Sequence, residues 1–343
     1  MLHVVRSAGR HGLCIAVREV PQMGEQLSAV VIGASGIGKQ HAKWLHTLGC
    51  RVDGFVGSSP DSVNATFASL RESFGIEPVG YTDVGRMLDE IQPHIVNVCS
   101  PPKFHYENYM AAHAAGCHIL CEKPLTWDED LDIATLNEQA RQMAEAPTQA
   151  VRAVNTQYVS APPAYYELCE RTGGHPGAPE KFFMQLESRH TNKTYERVWV
   201  DIATHPISML IAFCGPGEIV PGSGRLAVGR EYGHAHFTYQ PVDGPPCEAE
   251  VLVRAWCTEG TARRFGINDM LVDYAGRNDE NGVYCTYLSR EGVEHKSDDF
   301  MYVSLKRFVD AVRGDIAAPL ADIASGYTNQ LLHYGLMENA TIE

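Results

Sequence analysis

Positive charge is scarce in this chain. Its 343 residues carry 28 Lys and Arg against 42 Asp and Glu, a formal charge of −14. An acidic chain without a basic cluster repels phosphate backbones and anionic lipid, so neither nucleic acid nor a membrane surface is expected as its main partner. Long hydrophobic runs are missing too, and no apolar stretch approaches membrane-spanning length. The first residues lack the charged-then-apolar layout of a signal peptide, and a cytoplasmic location is expected. The ten cysteines are scattered. A chain this large has no need of disulfide staples, so free thiols in a reducing compartment are expected. His113, Cys117, His118 and Cys121 crowd together, but they span a helix end and a strand and do not continue into a second ligand pair. Packing is the expected role, and no metal is assigned. Internal repeats and low-complexity segments are also absent.

What remains is an ordinary globular composition, 44% hydrophobic, at a length that suits two domains. Residues 1–26 are read as an extension, in which Leu2–Val5 and Leu13–Val17 are expected to make a short hairpin; the alternatives are a flexible tail or a true start at Met23. From Ser28 to about Pro147 strands and helices alternate, the signature of a doubly wound parallel sheet. Ser28–Ile32 and Ile95–Cys99 read as buried strands, Arg51–Gly57 as the second strand, and His118–Cys121 as another. Helices are expected after Ser59-Pro60, from Asp83 to Ile91, from Tyr106 to Ala115 and from Glu129 to Ala144.

Beyond Thr148 the pattern becomes a period of two. Phe182, Met184 and Leu186 alternate with polar residues, as do Ala249, Val251, Val253 and Ala255. A hairpin turn is expected at Gly276–Gly282, and a late helix ending at Gly314. The expected architecture is therefore α/β: a Rossmann-type doubly wound parallel sheet over 27–148, then an α+β domain over 149–343 with an open, mostly antiparallel sheet.

The first strand breaks into Gly33-Ala34-Ser35-Gly36-Ile37-Gly38 and opens a helix. A tight strand-to-helix turn leaves the first backbone N–H groups of the helix free, which makes an anion site, and in a βαβ unit the usual anion is a dinucleotide pyrophosphate. Ser35 stands where the second glycine of the fingerprint belongs. Three further motifs follow: Gly-x-x-His at Gly38–His41, Ser100-Pro101-Pro102 with His105, and Glu122-Lys123-Pro124. Together these resemble the glucose–fructose oxidoreductase / inositol dehydrogenase (Gfo/Idh/MocA) family, through about the first half of the chain.

The resemblance implies that Gly33, Ser35, Gly36, Ile37, Gly38, Ser100, Pro101, Pro102, His105, Glu122 and Lys123 hold a nicotinamide dinucleotide. It places Lys123 beside the nicotinamide ring, where an ammonium stabilises a developing alkoxide. In the second domain, Asp201 and His205 fall at i and i+4 on one helical face, with Ser208 at i+7. They match the family's D-x-G-x-H motif with Ala203 in place of glycine, and Ser208 replaces a frequent acid. His205 has the pKa range of a proton carrier. Asn155 and Tyr158, taken to follow the first strand of the second domain, are candidate substrate contacts. Trp199, with Tyr195 and Arg197, is a candidate sugar-stacking wall, for which core packing is an equal alternative.

The end of the second strand carries Gly57-Ser58-Ser59, with neither an acid for a ribose hydroxyl nor an arginine for a 2′-phosphate. Asp53 sits too early in the strand. Without the carboxylate, Ser58 and Ser59 favour NADP over NAD. The expected activity is an NAD(P)-dependent oxidoreductase of a sugar, cyclitol or related polyol. The alternatives are an NAD-dependent glycosidase working by transient oxidation, or a non-catalytic dinucleotide-binding sensor. The resemblance also implies a homodimer or homotetramer.

Overall fold

A computed structural model describes residues 17–18, 26–189, 196–255 and 261–342. The expected hairpin of the extension, apart from Val17, lies outside the described residues, as does Tyr195. Two compact units are present. The first comprises Met1–Asn155 with Ser304–Tyr327, the second Thr156–Val303 with Thr328–Glu343.

The first unit alternates strand and helix: β1 (Ser28–Ile32), α1 (Gly36–Thr47), β2 (Arg51–Val56), α2 (Pro60–Phe74), β3 (Val79–Tyr81), α3 (Val84–Ile91), β4 (Ile95–Val98), α4 (His105–Ala114), β5 (His118–Glu122), α5 (Ile133–Glu145) and β6 (Arg152–Asn155). All strand pairs are parallel, in the order β3-β2-β1-β4-β5-β6. The order reverses between β1 and β4, so a crevice opens at their carboxyl ends, where such sheets bind ligands. Every residue of β1, β4 and β5 is buried, as a central strand covered on both faces requires. Three of these helices start where a side chain accepts an orphan amide proton. Ser59 accepts from Ser62 N at 3.2 Å, Asp83 from Arg86 N at 2.6 Å, and Asp132 from Thr135 N at 2.7 Å.

A division at 148–149 would assign Arg152–Asn155 to the second domain. The structure instead pairs it parallel with β5, Glu122 opposite Asn155, as the sixth strand of the first sheet. Its outer edge is closed by a late segment of the chain: Ala153 bridges Asp322, and Val154 N donates to the Ala321 carbonyl at 3.1 Å.

In the second unit α6 (Pro162–Thr172) precedes β7 (Lys181–Glu187), α7 (Glu196–Ile202) and α8 (Thr204–Cys214). Then come β8 (Gly217–Ile219), β9 (Arg225–Val228), β10 (Tyr232–Pro241), β11 (Cys247–Arg254), β12 (Arg263–Ile267), β13 (Met270–Asn278), β14 (Tyr284–Arg290) and β15 (Val293–Asp298). The chain leaves the second unit within α9 (Phe300–Arg313), re-enters it within α10 (Ile323–Met337), and ends on β16 (Thr341–Ile342). The ten-stranded sheet runs β15-β14-β13-β12-β7-β11-β10-β9-β16, with β8 on β10; only β7–β11 and β9–β16 are parallel. Alternation along β10 and β11 puts Ala235, Phe237, Ala249, Val251 and Val253 inside and polar residues outside. The inner face packs with Tyr165, Trp199, Phe182 and Phe265, each worth roughly 1.5–3 kcal/mol when fully buried. Among the described residues no helix is long and apolar enough to cross a membrane, and the eight described cysteines are free thiols.

Candidate active site

The glycine turn after β1 has the shape that a dinucleotide needs. Gly33 adopts φ 87°, and a Cβ there would lie 2.7 Å from the Cys99 carbonyl oxygen. A Cβ on Gly38 would come within 2.1 Å of the Gly33 carbonyl oxygen, so α1 can approach β1 only without one. Gly36 has φ 51° but open space beside it. Ser35 is the N-cap of α1 and makes no side-chain cap bond, and Ser35, Gly36 and Ile37 are all exposed. The first amides of α1 therefore face outward, with a free hydroxyl beside them. This cradle fits a pyrophosphate, and the fit rests on backbone geometry as well as on the fingerprint.

Beneath it, the Gly-x-x-His and Glu-Lys-Pro motifs prove to be one structure. His41 on α1 is fully buried, and its Nε2 lies 2.9 Å from Glu122 Oε1 at the end of β5. Asn97 Nδ2 donates to His41 Nδ1 at 2.9 Å. That leaves the imidazole proton on Nε2, where it donates to the carboxylate. Asn155 Nδ2 donates to the same Oε1 at 2.6 Å, and Lys123 N donates to Oε2 at 3.2 Å. Burial would push the Glu122 carboxyl up. The His41 hydrogen bond, the Lys123 charge and the Asn155 amide outweigh it and hold the pKa at about 2. A buried carboxylate thus grips the backbone of Lys123, and its own two oxygens are occupied.

His105 plays a related part. It is 1% exposed; Nδ1 lies 2.8 Å from the Pro124 carbonyl and Nε2 lies 2.7 Å from that of Ser100. Both acceptors are carbonyls, so a neutral ring donates to only one. Burial lowers the His105 pKa and prevails over the two carbonyls that would raise it. The residue ties the Ser100-Pro101-Pro102 turn to the Lys123-Pro124 turn, whose linking peptide bond is cis. Ser100 is half-buried and Pro101 exposed.

Early in β2, Asp53 bonds to Ser28 Oγ and to Arg51 Nε, so its carboxylate is engaged inside the strand. Ser58 is exposed. Ser59 spends an acceptor lone pair on the cap of α2 but keeps its O–H for donation.

In the second unit Asp201 and His205 do not share one helix. Pro206 has no N–H for the Ile202 carbonyl, and the helix divides there, α7 ending at Ile202 and α8 starting at Thr204. Ala203 between them stays right-handed helical, at φ −68° and ψ −17°. Asp201 accepts from Arg197 Nε at 3.4 Å. The His205 ring meets Tyr158 edge-on with centroids 5.0 Å apart, and Tyr158 lies 5.4 Å from Tyr274. Tyr158 is buried, which raises its pKa against the pull of Arg263. The Arg263 guanidinium lies 5.3 Å from the Tyr274 ring. Ser208 is committed elsewhere, accepting from Asn329 Nδ2 at 2.8 Å.

Trp199 is no stacking wall. It is completely buried, donates Nε1 to the His333 carbonyl at 3.1 Å, and packs so closely on β10 that a Cβ at Gly233 would lie 2.8 Å from its ring. Asn155, expected to touch substrate, has its amide nitrogen on Glu122 within the first unit. His41, Asn97, Arg263 and Tyr274 were not singled out from sequence as site residues. For His41 a signal existed, its place in Gly-x-x-His; for the others, strand pairing alone brings them in.

Residues 27–152 match the model of an oxidoreductase family with an NAD-binding Rossmann fold, GFO_IDH_MocA. Over these residues the first unit is similar to the NAD-binding domain of the Gfo/Idh/MocA family. Over 120 residues it is 37% identical to D-glucoside 3-dehydrogenase of Escherichia coli, 35% of this chain and 31% of that one. Over 121 residues it is 29% identical to inositol 2-dehydrogenase of Streptomyces avermitilis, 35% and 34% of the two chains. The match thus spans about a third of the length of these curated relatives. Similarity of fold extends further. UDP-N-acetylglucosamine 3-dehydrogenase from Acidithiobacillus ferrooxidans superposes over 92% of this chain and 98% of its own, at 19% identity and TM-score 0.66. A levoglucosan dehydrogenase in complex with NADH and levoglucosan does so over 92% and 97%, at 15% identity and TM-score 0.68. The chain therefore shares its fold with these two dehydrogenases.

Proposed function

We propose that this protein belongs to the Gfo/Idh/MocA family and is an NAD(P)-dependent dehydrogenase that oxidises a hydroxyl carbon of a sugar, cyclitol or related polyol. The observation that carries the reading is the buried Glu122–His41–Asn155 network, which fixes the backbone of Lys123 next to a glycine cradle shaped for a dinucleotide. The aligned relatives act on a D-glucoside and on inositol, which supports the substrate class. A bound nicotinamide supplies the hydride acceptor. Lys123 provides the cation that stabilises the alkoxide as charge develops, and His205 takes the hydroxyl proton. Asp201 tunes the polar side of that helix pair, and Tyr158 buttresses the His205 ring.

For the cofactor we propose NADP over NAD. Asp53 is tied to Ser28 and Arg51, so no carboxylate serves the ribose, while Ser58 and Ser59 retain hydroxyl donors for a 2′-phosphate. The experiment is a screen of sugars, cyclitols and their keto forms with both cofactors, following reduced-nicotinamide absorbance. NADPH should bind more tightly than NADH, with a gap that narrows as salt rises; equal affinities would remove the cofactor reading. Substrate consumption without release of reduced cofactor would instead mark a glycosidase that oxidises transiently.

A further inference from the structure

On the outer face of the large sheet three potential metal ligands converge. His234 and His236 are two apart on β10, so both point outward, and their rings lie 4.4 Å apart. The ladder register sets Glu250 of β11 directly opposite His236. Glu250 Oε1 lies 2.9 Å from His234 Nε2, and one donor atom from each of the three residues falls within 4.8 Å of the others. Among the described residues no other group of three such side chains comes this close.

We propose that His234, His236 and Glu250 form a binding site for a divalent first-row transition metal ion, with zinc as the representative. The donor set of two imidazoles and one carboxylate suits such ions and not the hard cations calcium and magnesium. Tetrahedral zinc with bonds of 2.0–2.1 Å places its ligand atoms ~3.3 Å apart, so adjustments of up to about 1.5 Å bring the present atoms into range. Binding exchanges the His234–Glu250 hydrogen bond for two bonds to the metal. The backbone needs no rearrangement, because the donors come from neighbouring strands whose register is already fixed.

The surroundings agree with an accessible ion. All three residues are at least partly exposed, and His236 and Glu250 also line a groove of about 380 Å³ bordered by Lys181, Phe183 and Leu271. The fourth coordination position therefore opens to water, as in three-ligand zinc sites. Directly across the ladders stand Ala227 and Leu252 beside His234, and Arg225 beside His236. Arg225, Lys181 and Arg254 are the cations around the cluster on this face, and Glu248 precedes Glu250 on the same face of β11.

Titration of the metal-free full chain with zinc ions alone, by calorimetry, tests the site, with cobalt(II) absorbance as a second readout. One ion per chain should bind, and the melting temperature should rise with zinc. His236→Ala and Glu250→Gln should each weaken binding by more than about tenfold, the scale at which even outer ligand partners matter. Both variants should keep the metal-free melting temperature and the dinucleotide affinity of the parent, since neither residue is buried. Failure of the parent to bind zinc overturns the proposal, and so does binding of equal strength in the parent and both variants. Cobalt(II) bands of four- or five-coordinate type in the parent, lost in the His236→Ala variant, support it.

Discussion

His41 is worth more to this protein than its single imidazole suggests. Removing it takes a hydrogen-bond donor from a buried carboxylate, a loss of about 1.5–3 kcal/mol. His41→Ala should therefore lower the unfolding free energy by about 1.5–3 kcal/mol, measured by urea denaturation; a loss below about 1 kcal/mol would mean that the Asn155 amide suffices. The same network predicts an acid response. The Glu122 carboxyl titrates near 2 in the folded chain, against an ordinary 4.5. The folded state is then the weaker proton binder, so this stabilisation is complete above about pH 4.5 and disappears as pH falls towards 2. The stability gap between the parent and Glu122→Gln should narrow across that window and stay constant above it. For chemistry, Lys123→Ala and His205→Ala should each cut turnover by roughly 100-fold or more, and His205→Ala should flatten the pH–rate profile near neutrality. Dinucleotide affinity should hold in the His205 variant. Near-parent turnover there would shift the proton carrier to Tyr158 or Lys123.

At the scale of elements, the glycines of the first turn differ in what they tolerate. Gly36→Ala meets only the positive φ and should cost about 1 kcal/mol. Gly38→Ala forces a methyl group against the Gly33 carbonyl and should cost about 3 kcal/mol or more, with loss of dinucleotide binding. Thermal melts and cofactor titration of both variants separate these outcomes. These elements were legible in the sequence because their causes are local: a glycine run, capping residues such as Ser59 and Asp83, and alternation along β7 and β11. Pro206 was equally local, and it breaks the helix that carries Asp201 and His205. The four residues of β6 were not legible in this way. So short an apolar run fits either domain, and only its pairing with β5 decides. The same limit hid the fate of Trp199, whose burial depends on Gly233, and the meeting of His234 and His236 with Glu250, which lie on separate strands.

For the whole molecule, the first unit is completed by a distant part of the chain. Arg313 Nη2 donates to the Leu48 carbonyl at 2.8 Å, and residues 321–322 close the edge of β6. A chain cut after Asn155 should therefore expose a bare strand edge and self-associate. Adding back residues 304–327 through a short linker should restore a monodisperse unit with a higher melting temperature, as read by sedimentation and calorimetry. Equal behaviour of the two versions would show that the late segment is dispensable.

That arrangement also sets an order of events on the ribosome. The sheet that houses the glycine cradle emerges early, yet its last edge stays open until the segment around Asp322 has been synthesised. At about 5–20 residues per second this is an interval of roughly ten to thirty seconds, during which a nascent chain carries a strand able to pair with any neighbour. The same interval gives a trailing chaperone its window, and a chain that terminates between Asn155 and Asp322 keeps that edge bare.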